Sequence, residues 1–370
     1  MAVEETEKST TYKALKIIVF ITTFFLLFVS GFLASYKLIT DSNDNSAAVV
    51  FINPEDRIEV YIEQGSNTAT IAEVLRKKGI IKSTLLFRIY SNINGFDGSY
   101  KYGTHEVAKN LGYSELMTIL IANPKAVKVL IPEGFNFMQI KDLLISKKLV
   151  DGAKFEDIAR KTDFGYQFLK NIPLNAINVR LEGYLFPDTY EFDPNMGETE
   201  IIRRMLSNFD DRFLASYYDK AKAIGLTTEQ VIILASIVEK EAADPLDRPR
   251  IAGVFLNRLS GNYGTLKLES CATLEYIIFK QTGAVKPVLT VDDTLIEDPY
   301  NTYKNEGLPP GPICNPGLDS IEAVLNAEAT AYLYFVARND GSGTSFFSTT
   351  LAEHDAAAAL FGGVDQIIRQ

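Results

Sequence analysis

The alternation of apolar and polar positions divides the chain into three regimes. From Ile17 to Tyr36 about 20 residues pass without a charge, enough to cross a hydrocarbon core as one helix. Beyond a polar stretch at 41–55, short runs of strand periodicity alternate with helical ones. From about residue 156 the helical period dominates, broken by Gly- and Pro-rich tracts. This order predicts an α+β protein: a single N-terminal transmembrane helix, a small β-α subdomain at 56–155, and a mixed α/β domain at 156–370.

Lys8, Lys13 and Lys16 precede the apolar run, whereas Lys37, Asp41 and Asp44 follow it. The bias of positive charge places residues 1–16 in the cytoplasm and everything after about residue 40 outside. A cleaved leader would have a shorter apolar core followed by a small-residue cleavage site. The reading is therefore an uncleaved anchor at 17–39 with a tether at 40–55, in a single-pass protein of the cell membrane.

The next regime contains an echo. Val60-Tyr61-Ile62-Glu63-Gln64-Gly65, then Ile71 to Leu75 and Ile80-Ile81, is matched 69 residues on by Val129-Leu130-Ile131-Pro132-Glu133-Gly134, then Ile140 to Leu144 and Leu149-Val150. Each copy reads strand, glycine turn, amphipathic helix and apolar return. Such units resemble small LysM-like carbohydrate-binding modules. Duplication of a packing unit explains the echo equally well. Between the copies, the turn-rich aromatic stretch Phe96–His105 predicts a hairpin.

In the third regime a helical region (153–171) leads to Leu181–Phe192, where aromatics alternate with polar groups around Gly183 and Pro187, predicting loop or edge strand. Glu182, Asp188 and Tyr190 suit the wall of a sugar cleft, although turn-making accounts for Asp188 as well. Residues 198–223 read as one amphipathic helix and 249–259 as another, with Asn257 and Arg258 near its end. Residues 300–317 form a Pro/Gly-rich loop of the length that is usually functional. Residues 331–337 and 345–347 read as strands about an Asn339-Asp340-Gly341 turn, and the tail from Leu351 as a closing helix.

The most informative helix runs from Thr228 to Ala242. Thr227 or Thr228 can cap it, and Pro245 bounds it. At roughly 100° per residue the apolar face centres between Leu234 and Ile237. Glu241 projects within about 20–30° of that centre, while Glu239 points nearly away from it. Burial would raise the pKa of Glu241, as a general acid requires. If the helix ends at Lys240, Glu241 swings into solvent instead.

Composition narrows the classes. Hydrophobic content of 46% with 23% charged residues marks a folded chain. A net charge of −10 without a Lys/Arg cluster excludes a nucleic-acid partner. The two histidines, His105 and His354, have no cysteine or carboxylate at ligand spacing, so no metal site is expected. Cys271 and Cys314 are too few for a disulfide framework, and their pairing is open.

Four ordered stretches together carry a family resemblance: Leu-Glu-Gly-Tyr-Leu-Phe-Pro-Asp-Thr-Tyr (181–190), Ala-Ser-Ile-Val-Glu-Lys-Glu (235–241), Val-Phe-Leu-Asn-Arg-Leu (254–259), and Tyr-Asn-Thr-Tyr through Gly-Leu-Pro-Pro-Gly-Pro-Ile to Asn-Pro-Gly (300–317). Tyr332–Ala337 and Glu353-His354 fit as well. The chain resembles the YceG-like family of membrane-anchored endolytic murein transglycosylases over about residues 55–360. The resemblance implies a LysM-like subdomain and a catalytic domain that cleaves MurNAc–GlcNAc bonds in nascent glycan strands, leaving 1,6-anhydro-MurNAc ends and limiting strand elongation. It implies Glu241 as the catalytic acid and no cofactor. Glu182, Tyr184, Asn257, Tyr300, Asn301 and Tyr303 become candidates for holding sugar, and Glu239 a candidate secondary carboxylate. Expected partners are peptidoglycan strands, the membrane and cell-wall synthases. One departure stands out: the commoner family pattern has Asp-Pro where this chain has Cys271-Ala272. A non-catalytic glycan-binding scaffold and a two-carboxylate muramidase are the competing readings.

Overall fold

Leu15–Phe32 forms helix α1, long and apolar enough to cross a membrane, with a mean hydropathy of 2.3. Its hydroxyls are satisfied internally, Thr22 donating to the Ile18 carbonyl at 2.9 Å and Thr23 to that of Val19 at 2.7 Å, as a lipid environment demands. The computed structural model describes residues 15–32, 52–109, 111–174, 179–262, 264, 267–338, 340–361 and 367–368. Most of the predicted cytoplasmic tail, most of the tether and Asn339 of the predicted turn lie outside the described residues.

The chain divides into two compact units, residues 1–124 and 125–370. In the first, β1 (Ile58–Ile62), α2 (Thr68–Lys77), α3 (Thr84–Ile93) and β2 (Gly103–Val107) are followed by α4 (Tyr113–Ile121). β1 and β2 pair antiparallel with Val60 opposite His105. The sequence predicts a hairpin at Phe96–His105, but those residues lead into β2, whose partner is the distant β1. The reason lies in side-chain placement: Val107 and Val60 join a core of Ile71, Leu75, Phe87, Leu116 and Leu120. His105 is buried there, its Nδ1 3.1 Å from the Ile119 carbonyl and its Nε2 2.8 Å from that of Lys101.

The second copy of the echo opens the second unit. β3 (Val127–Leu130), α5 (Phe137–Ser146) and α6 (Gly152–Lys161) lead to β4 (Thr189–Phe192), which pairs antiparallel with β3, Val129 opposite Tyr190. Both copies therefore run β-α-α-β. Gly65 and Gly134 turn the chain at φ +81° and +77°, and Asn67 and Asn136 cap the following helices at 2.9 Å. Phe137, Ile140, Leu144 and Phe155 of the second copy are buried in the large core of residues 129–325.

That core is organised on α9 (Thr228–Glu241). α7 (Glu198–Arg212) and α8 (Ala215–Ala223) precede it, and α10 (Arg248–Leu259), α11 (Cys271–Thr282) and α12 (Leu318–Leu325) pack around it. Residues 198–223, predicted as one helix, break at Phe213, which turns inward to stack on Phe209 with ring centroids 5.5 Å apart. β5 (Leu289–Thr290) pairs in parallel with β8 (Ile367–Ile368), while β6 (Tyr334–Ala337) and β7 (Ser345–Ser348) pair antiparallel ahead of α13 (Leu351–Phe361).

α9 begins with a capping box, Thr227 and Gln230 bonding reciprocally. Every residue from Val231 to Val238 is buried, so the helix is apolar all round rather than on one face. The single apolar face expected of α9 is thus corrected: the side that Glu239 faces is also packed. The Glu239 side chain, 6% exposed, pairs with Arg248 at 3.3 Å and accepts from Gly317 N at 3.0 Å and Ser320 Oγ at 2.7 Å. The loop at 312–317 is fastened in the same way. Ile313 N donates to Ser236 Oγ at 3.0 Å, and Asn315 exchanges backbone bonds with Gly134 and Phe135 at 3.0 and 2.8 Å.

Candidate active site

Glu241 is the last residue of α9, and the N-terminus of α11 stands opposite it. Ser270 Oγ donates to Glu241 Oε1 at 2.5 Å and Ala272 N at 3.3 Å. Desolvation raises the pKa of Glu241; the Ser270 and Ala272 bonds oppose that, Glu275 adds to it, and Lys240 opposes it, with the net shift upward. An ordinary glutamate would be ionised at neutral pH, whereas this one retains its proton to higher pH, the state a general acid needs.

The carboxyl lines a cavity of about 360 Å³ walled by Arg258, Glu269, Cys271, Tyr303 and His354, with the apolar faces of α10, β6 and α13. Tyr303 Oη is 3.1 Å from Cys271 Sγ, and burial pushes its phenol pKa up. Arg258 is held in the wall: its Nε donates to the Lys267 carbonyl at 2.8 Å, its Nη1 donates to that of Leu333 at 3.3 Å, and its Nη2 pairs with Glu269. Glu269 adopts φ +52°, a left-handed conformation uncommon for a residue with a side chain and frequent at functional sites. Its N donates to the Thr302 carbonyl at 3.2 Å, and Ser270 N donates to Thr302 Oγ1 at 3.0 Å.

Of the sugar-holding candidates, the structure places Tyr303 on this cavity and the others elsewhere. Glu182 is 2% exposed, its carboxyl accepting from Phe137 N at 2.9 and 3.1 Å, Tyr276 Oη at 3.3 Å and Asn315 Nδ2 at 3.3 Å. Tyr184 is fully buried, stacked on Phe168. Asn257 Nδ2 ties down the carbonyls of Thr330 and Tyr332 at 2.8 and 2.9 Å. Asn301 is fully buried, bridging the Thr294 and Ile296 carbonyls and Tyr303 N. Tyr300 is buried against Tyr276. These groups satisfy backbone or fill the core. Asp188 pairs with Arg212 at 2.6 Å and Asn208 at 3.0 Å.

Sequence reasoning left out Ser270, Glu269, Cys271 and His354 as site residues. The available signal was Ser270 ahead of an apolar helix, which reads as a routine cap. No disulfide joins Cys271 and Cys314. Among the described residues no group of three or more His, Cys, Asp or Glu could hold a metal ion.

Burial drives the Glu182 pKa up to about 8, against the bonds from Phe137 and Tyr276. A raised carboxyl contributes stability that is complete below the unfolded value near 4.5 and lost as pH rises through about 8. Glu182→Gln should therefore flatten the fall in thermal stability between pH 5 and 8. Glu182→Ala should cost about 1–3 kcal/mol by stranding buried donors. Melting curves across pH test both, and an unchanged slope in the Gln variant would contradict the assignment.

The YceG-like family model matches residues 60–359. The chain belongs to this family. It is 33% identical over 312 residues to the endolytic murein transglycosylase of Bacillus subtilis (strain 168), covering 81% of this chain and 83% of that protein. It is 30% identical over 358 residues to the protein of the same name from Streptococcus pneumoniae serotype 2 (strain D39), covering 91% of this chain and 63% of the relative. Among solved structures, a crystal structure of a protein described as YceG-like from Listeria monocytogenes matches with a TM-score of 0.54 at 30% identity. The match covers 82% of this chain and 99% of that one.

Proposed function

We propose that this chain is an endolytic peptidoglycan lytic transglycosylase with Glu241 as its acid–base residue. The observation that carries the reading is the Glu241 carboxyl, its pKa raised by desolvation, at the wall of a cavity and bonded by Ser270 and Ala272. Glu241 protonates the oxygen joining MurNAc to GlcNAc as the bond breaks toward an oxocarbenium-like state. The carboxylate so formed takes the proton from the C6 hydroxyl of the same MurNAc, whose oxygen closes the 1,6-anhydro ring. The nucleophile is part of the substrate, so no second carboxylate has to activate water. Glu182 and Glu239 are both held in structural bonds away from the cavity, and Glu269 is paired to Arg258, which supports the one-carboxylate reading.

The remainder follows the same proposal. α1 anchors the chain with its N-terminus in the cytoplasm, and the following units work on nascent strands outside, beside the synthases that extend them. The β1-α2-α3-β2 order of the first unit supports a LysM-like module that holds the glycan. Mass spectrometry of muropeptides released from purified peptidoglycan by the full chain in detergent tests the reaction. Ends lighter by one water are expected. Hydrated ends would transfer the reading to a muramidase with Glu269 as the second carboxylate. Binding without cleavage would make the protein a scaffold.

A further inference from the structure

We infer that Ser270 is a positioning residue of the reaction, fixing which oxygen of Glu241 carries the proton and holding the other when that proton has left. The inference rests on Glu241 being the acid. Both donors to this carboxyl converge on one atom: Ser270 Oγ at 2.5 Å and Ala272 N at 3.3 Å each reach Oε1. Oε2 receives no hydrogen bond from the described residues. In the protonated carboxyl the oxygen that accepts both donors is the carbonyl oxygen, so the proton resides on Oε2 and is delivered from there.

Ser270 occupies the N-cap position of α11, where a serine hydroxyl ordinarily accepts from the first turn of its own helix. Here it makes no such bond. The hydroxyl is turned outward to donate to Glu241, and the neighbourhood keeps it turned. Ser270 N is bonded to Thr302 Oγ1 at 3.0 Å, the Ser270 carbonyl accepts from Thr273 Oγ1 at 2.7 Å, and the two threonine hydroxyls meet at 2.9 Å. The residue before it, Glu269, is held at φ +52°. Backbone on both sides of Ser270 is thus fixed before substrate arrives, the preorganisation expected of a group that stabilises charge appearing during reaction. The backbone N–H of Ala272 adds a second donor from the first turn of α11. After proton transfer the carboxylate sits at the start of α11, where the helix dipole favours negative charge.

The other groups around Glu241 are Lys240 on its own helix, Glu275 on α11, Glu269 and Cys271 beside Ser270, Tyr303, Arg258 on α10 and His354 on α13. All are unchanged in Ser270 variants, so a titration difference reports Ser270. In the full chain in detergent, the Glu241 carboxyl band is isolated by infrared difference against Glu241→Gln and followed across pH. Ser270→Ala is expected to move the midpoint to higher pH, because only the ionised form loses a charge-assisted donor. Its high-pH limb of turnover should move likewise, with kcat lower by about ten- to a hundredfold and KM little changed. Ser270→Cys, which fills the volume with a weak donor, should follow Ala, while Ser270→Thr, which keeps the hydroxyl, should restore both midpoint and limb. An unmoved midpoint in the Ala and Cys variants would overturn the inference. So would a kcat loss shared by the Thr variant, since that marks a packing role. If Glu241→Gln keeps turnover while the Ser270 midpoint still moves, the reading of Glu241 as acid fails and the hold of Ser270 on it stands.

Discussion

Glu241→Gln should lower turnover of peptidoglycan by about 10²–10⁴-fold, the contribution of a positioned general acid, while strand binding is retained. Gln matches the protonated glutamate in shape, and its oxygen can accept the Ser270 and Ala272 donors, so the cavity should persist. Stability separates this from unfolding. The Glu241 pKa is raised in the fold, so its favourable contribution is complete below the unfolded pKa and fades as pH rises through the folded one. The melting temperature of the Gln variant should therefore fall less steeply with rising pH than that of the native chain. Glu239→Gln should behave oppositely: weakening the pair with buried Arg248 and the bonds to Gly317 and Ser320 lowers the melting temperature while turnover persists. An active Glu241→Gln beside an inactive, folded Glu239→Gln would reverse the assignment.

The largest effect on the fold is expected at Gly183. Its φ is +91°, and an added Cβ would lie 2.6 Å and 2.7 Å from ring carbons of Pro312 and 2.9 Å from Ile232 Cγ2. Ile232 belongs to the fully buried run of α9 and Pro312 to the loop fastened there, so neither neighbour can yield cheaply. Gly183→Ala should cost about 2–4 kcal/mol from strain and overpacking together, a fall in melting temperature of about 5–15 °C for a unit of this size. Gly225 is the control. It also has positive φ, +77°, but a Cβ there meets nothing within 4 Å, so Gly225→Ala should cost about 1 kcal/mol. Equal losses in the two variants would refute the close-packing argument.

The comparison of sequence and structure turns on what polar residues do when buried. The duplicated unit was legible because alternation of Val and Ile, the positive-φ glycines Gly65 and Gly134 and the capping Asn67 and Asn136 are local signals that each copy repeats. The desolvated placement of Glu241 was legible because a carboxylate beside an apolar helix face stands out. Glu182, Asn257 and Asn301 look alike in sequence whether they bind sugar or satisfy stranded backbone groups. In the fold all three reach backbone donors or carbonyls, as buried polar groups generally must. Nor could the sequence show that the second copy closes through β4 and the 312–317 loop, since that pairing joins segments far apart in the chain. Ser270 escaped notice because its orientation depends on Thr302 and Thr273, which only the fold brings together.

The bonds between Asn315 and the Gly134-Phe135 turn also set an order of assembly. The β1–β2 pairing and the core of the first unit are drawn from residues 58–120, so they can form early in synthesis. The second copy of the same motif must wait for Asn315, some 180 residues later, and long waits of this kind slow folding and expose unpaired strands. Two segments built on the same strand-turn-helix pattern thus mature on different clocks: the early one closes on β2, the late one only after the segment carrying Asn315 has been made.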